Sequence, residues 1–129
     1  MYITKQEVLD LKREVQTELD DYVYIRKKHK LVIEGEERIV LLYTVELLDK
    51  ILIMLKRGNY IKSELLDALR QQNWTYYSFS SKSLWSDKLL RKRLQIKPTK
   101  TIMVSDMLKI QAEYLEQASE YIISMLEED

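Results

Sequence analysis

Only three residues in 129 are strong helix breakers: Gly35, Gly58 and Pro98. Sandwiches and barrels need turn residues every few positions, so this scarcity argues against an all-β fold and for long helices. The chain also has no cysteine, which removes disulfide frameworks, thiolate nucleophiles and cysteine–zinc sites. A domain of this length buries roughly two thirds of its unfolded surface and needs no such staple. The expectation is one helical domain over 1–129.

Helix signals recur along the chain. Thr4 and Glu7 have capping-box spacing, and Val8, Leu11, Val15, Leu19 and Tyr22 follow at intervals of three and four. The spacing predicts a first helix that fades within 22–30. Gly35 lies between two short apolar runs and reads as a break rather than a hairpin. A helix over 36–57 is predicted next, apolar around nearly its whole circumference and closed by Lys56, Arg57 and a Gly58 cap. Such a helix suits the centre of a bundle. Because Glu46, Asp49 and Lys50 interrupt its apolar run, it is a poor membrane span. A third helix is predicted over 60–72, with Leu65, Leu66 and Leu69 inward.

A polar and aromatic connection over 73–83 precedes a fourth helix, 84–94, capped by Ser83. The segment 94–104 has two readings, a break at Pro98 or a small β-hairpin around Lys97–Lys100. The last helix carries Met103, Met107, Ile110, Tyr114, Ala118, Tyr121 and Met125 at spacings of 4, 3, 4, 4, 3 and 4, close to a heptad seam. A second row, Val104, Leu108, Leu115, Ile122 and Leu126, widens that face. The fold class is therefore all-α, a bundle of four to five helices around the 36–57 helix, with or without a hairpin near 94–104.

The catalytic inventory is thin. The one histidine, His29, lies among Arg26, Lys27, Lys28 and Lys30, with no carboxylate placed beside it as a general base would need. Two glycines 23 residues apart make no phosphate loop. Glu113, Glu116 and Glu120 share a helix face, yet no Glu-x-x-His pair accompanies them as a di-metal bundle requires. A solvated acidic face is the simpler account. No catalytic residue, metal site or cofactor is assigned, and no small-molecule substrate is expected.

Charge is sorted along the chain. Residues 1–50 carry 9 basic and 11 acidic side chains, 51–100 carry 11 and 3, and 101–129 carry 1 and 7. The basic middle either meets the acidic last helix within the fold or faces an anionic partner. Lys88, Arg91, Lys92, Arg93, Lys97 and Lys100, beside Trp74, Tyr76 and Trp85, combine phosphate-pairing cations with rings that stack on bases. The 60–72 helix, the 84–94 helix and a 94–104 wing even follow winged-helix order. The long connection and the late position of the cations on the second helix weaken that match.

A second candidate surface is the last helix. Met107, Ile110, Tyr114, Tyr121 and Met125 mix residue types common at protein interfaces. From these features the expected function is non-enzymatic: a small regulatory or adaptor protein that binds a protein partner, or itself as a homodimer. The alternatives are a nucleic-acid-binding regulator using the basic segment 82–100, and a structural subunit of a larger assembly. The start of the chain has no apolar leader, and the expected setting is cytoplasmic.

Overall fold

Thr4 and Glu7 begin the first helix with reciprocal hydrogen bonds. The Glu7 amide donates to the Thr4 hydroxyl (3.2 Å), and the Thr4 amide donates to Glu7 Oε2 (2.9 Å), which satisfies two amides at the helix start. The computed structural model describes residues 1–29, 36–71 and 87–127. Among them are five helices: α1 Lys5–His29, α2 Glu36–Leu55, α3 Lys62–Arg70, α4 Asp87–Leu94 and α5 Val104–Leu126. The all-α reading holds. The Gly35 break, the 73–83 connection and Ser83 lie outside the described residues.

Val8, Leu11, Val15 and Leu19 of α1 are buried, as their spacing predicts, against an α2 face that includes Leu47, Leu48 and Ile51. A Lys12–Asp49 ion pair (2.6 Å) links the same two helices at the surface. α2 also packs on α5, and α5 packs in addition on α3 and α4. The bundle thus has a spine shared by α2 and α5, and Leu42 and Ile53 of α2 stay exposed. Two buried hydroxyls on the spine need no outside partner. Thr44 donates to the Val40 carbonyl and Ser119 to the Leu115 carbonyl, each 2.7 Å away.

Three details differ from the sequence expectation. α2 stops two residues early, because the Lys56 and Arg57 amides bond to the carbonyls three residues back (3.2 and 2.9 Å), a tightened last turn. Gly58 is not left-handed, so it is not the expected cap. α3 starts at Lys62 rather than near 60, because residues 60–62 pair with the N-terminus. The Ile3 amide donates to the Tyr60 carbonyl and the Lys62 amide to the Met1 carbonyl, both at 2.9 Å, around an antiparallel Tyr2–Ile61 bridge.

A further correction concerns 94–104, which forms no hairpin. α4 ends with Gln95 at φ 57°. The Gln95 amide reaches the Lys92 carbonyl and the Ile96 amide reaches the Arg91 carbonyl, the Schellman pattern that usually employs glycine. The turn that follows is held by a side chain. Arg91 donates from one guanidinium nitrogen to the carbonyls of Lys97 (3.0 Å) and Lys100 (2.7 Å), and the Lys100 amide closes back on the Lys97 carbonyl (3.1 Å).

Candidate functional site

The basic segment divides into structural and exposed cations. Arg91 holds the 97–100 turn. Arg93 pairs with Glu46 of α2 and lies 5.9 Å from the centre of the Tyr43 ring. Tyr43 in turn stacks on Tyr114 of α5, with centroids 6.4 Å apart and planes 13° from parallel. Its hydroxyl donates to Gln111 Oε1 (2.7 Å). Burial pushes the Tyr43 phenol up to about 12, with Arg93 opposing and Glu46 reinforcing. Lys50 stands beside the same pair, and burial lowers its pKa against the pull of Glu46. This cluster joins α2, α4 and α5.

Lys88, Lys92, Lys97 and Lys100 are exposed and carry no ion pair among the described residues. Glu113, Glu116 and Glu120 are likewise exposed and unpaired there. Among the described residues no ion pair joins the basic strip to Glu113, Glu116 or Glu120 of the last helix. Arg93 pairs instead with Glu46 of α2. Trp74, Tyr76 and Trp85 lie outside the described residues, so the aromatic half of that surface has no described placement.

The predicted interface row on α5 also divides. Met107 is fully buried and Tyr114 packs on the core beside Tyr43. Ile110 is half-buried against the core. An interface therefore cannot use Met107 without opening the bundle. Tyr121 and Met125 are different, because they line an open groove of about 930 Å³ between α5 and α1. Met125 is 47% exposed there.

The groove has an apolar side and an acidic wall. Met125 and the half-buried Tyr121 supply apolar surface above the buried Leu11 and Leu126, while Asp10, Glu14 and Glu18 supply carboxylates from successive turns of α1, with Arg13 3.8 Å from Asp10. Burial raises the Tyr121 phenol, and Glu18 and Glu14 push it the same way, so it stays protonated beside those carboxylates. One end is closed by a Lys62–Glu7 ion pair (2.5 Å). Burial acts to raise the Glu7 carboxyl, but Lys62 and Thr4 more than offset it and hold Glu7 below its ordinary value. Arg70 of α3 reaches Glu127 at the same end.

Sequence reasoning did not single out Asp10, Glu14 and Glu18 of the α1 wall, because charges on the outer face of an amphipathic helix need no partner. The available signal was their spacing of four, which places them on one stripe of the helix. It also undervalued Val104 and Leu108, which the structure leaves exposed. Among the described residues no three histidine or carboxylate side chains converge as metal ligands would, and no helix is long and apolar enough to cross a membrane. No protein-family model, curated protein sequence or solved structure matches this chain.

Proposed function

We propose that this protein is a non-enzymatic adaptor that docks a protein partner in the groove between α1 and α5. The observation that carries the reading is the make-up of that groove, an open trough with apolar surface along it and carboxylates on one wall. Helical and peptide segments are held in this way, with apolar anchors for affinity and charge for orientation. Met125 adds a side chain that repacks around differently shaped partners. Small-molecule sites, by contrast, enclose most of their ligand.

One observation favours nucleic acid as a second reading. Lys88 and Lys92 share a face of α4 at i, i+4 spacing, and Lys97 and Lys100 are exposed in the turn that follows. Four cations so placed suit phosphate contact. The use of Arg91 and Arg93 inside the fold makes this surface weaker than the sequence suggests.

The test is capture of partners on immobilised wild-type protein and on a Tyr121→Ala/Met125→Glu variant, with helicity checked by circular dichroism. A partner retained by the wild type and lost by the variant is expected. Equal capture by both removes the groove from the function. Fluorescence anisotropy of labelled duplex at low and moderate salt tests the second reading. Salt-sensitive binding lost on changing Lys88, Lys92, Lys97 and Lys100 to alanine would put it first.

A further inference from the structure

The second apolar row of α5 is covered at one end and bare at the other. Ile122 and Leu126 are buried, and Leu115 is half-buried against the core. Val104 and Leu108, which continue the row toward the N-terminus, are 49% and 48% exposed, and Met103 just before them is 70% exposed. Solvent-facing methionine, valine and leucine side by side on a small domain mark a contact surface more often than chance. The preceding turn adds two exposed cations, Lys97 and Lys100. This end of α5 is thus an apolar and basic ridge.

The groove between α1 and α5 has the complementary character, apolar with Glu14 and Glu18 exposed on its wall. It lies at the other end of the same helix. From Leu108 to Tyr121 is about 20 Å of helix, so a chain's ridge cannot reach its own groove. We propose that the ridge of one copy docks in the groove of the next, so that chains associate head to tail. Met103, Val104 and Leu108 would meet Tyr121 and Met125, and Lys97 and Lys100 would face Glu14 and Glu18.

Charge argues for this occupant over a two-fold dimer. Groove against groove would oppose carboxylates to carboxylates, and ridge against ridge would oppose lysines to lysines, each a repulsive juxtaposition. The groove's own cations, Arg13 and Lys62, stand against Asp10 and Glu7, so ridge against groove is the arrangement that sets lysines opposite Glu14 and Glu18. Because each copy then uses two different surfaces, the contact is heterologous and continues into a ring or a filament. The inference rests on the groove being a protein-docking site.

Sedimentation velocity over a wide concentration range, at low and moderate salt, is the experiment. Weight-average mass should rise above the 15.5 kDa protomer with concentration and fall back as salt is added. A ridge variant, Val104→Glu/Leu108→Glu, and a groove variant, Glu14→Lys/Glu18→Lys, change exposed residues and should each be monomeric. Mixed, they retain one intact ridge and one intact groove, so they should form a 1:1 dimer that grows no further. A wild type that stays monomeric overturns the inference, as does either variant associating like wild type or a mixture that fails to pair. If the wild type is monomeric while partner capture still depends on Tyr121 and Met125, only the self-association falls. If capture is also indifferent to those residues, the groove reading falls with it.

Discussion

Arg91 and Arg93 stand two residues apart on one short helix, and their guanidinium groups do different jobs. One gathers the carbonyls of Lys97 and Lys100, the other pairs with Glu46 beside the Tyr43 ring. Arginine suits both because its planar fork presents several donors at once. Lys92 between them remains at the surface. Tyr43 offers a direct test of this cluster. Its hydrogen bond to Gln111 requires the protonated phenol, whose pKa is raised to about 12. A raised folded-state pKa means the contribution is complete below the ordinary value of 10 and is lost as pH rises through 12. Tyr43→Phe is expected to cost about 1 kcal/mol at neutral pH. In urea titrations across the alkaline range, its stability should also fall less steeply with pH than that of wild type. Parallel decline of the two proteins would refute the assignment.

At the scale of elements, boundaries were set by bonds that carry no period. The start of α1 was legible because a capping box needs only Thr4 and Glu7 three residues apart. The end of α4 was not, because Gln95 takes a left-handed conformation that side chains other than glycine adopt at a cost. Its Schellman bonds to Lys92 and Arg91 compensate. Gln95→Gly is therefore expected to raise stability by about 1 kcal/mol, read as a higher denaturation midpoint at unchanged slope. An unchanged or lower midpoint would show that the Gln95 side chain contributes more than its backbone strain costs. The hairpin reading of 94–104 failed for a related reason. Alternating Leu94/Ile96 and Ile102/Val104 describe strands only when the two runs are extended and paired, and here Leu94 ends α4 and Val104 begins α5.

For the whole molecule, one connected core joins residues from every described helix, so unfolding should be a single cooperative event. Ile122→Ala, at a fully buried position of α5, is expected to cost about 2–5 kcal/mol. The loss should move far-ultraviolet circular dichroism and tyrosine fluorescence together. Separate transitions for the two probes would mean that part of the bundle folds on its own. The sequence by itself determined the helical class, most inward-facing rows and the α1 cap, since these depend on local spacing and on the scarcity of breakers. Tertiary structure alone decided which charges remain available. Arg93 finds Glu46 across forty-seven positions, and Glu14 and Glu18 become a groove wall only when α5 settles opposite them. Neither event has a local signature, because a side chain's partner is set by how helices pack and not by its neighbours in the chain.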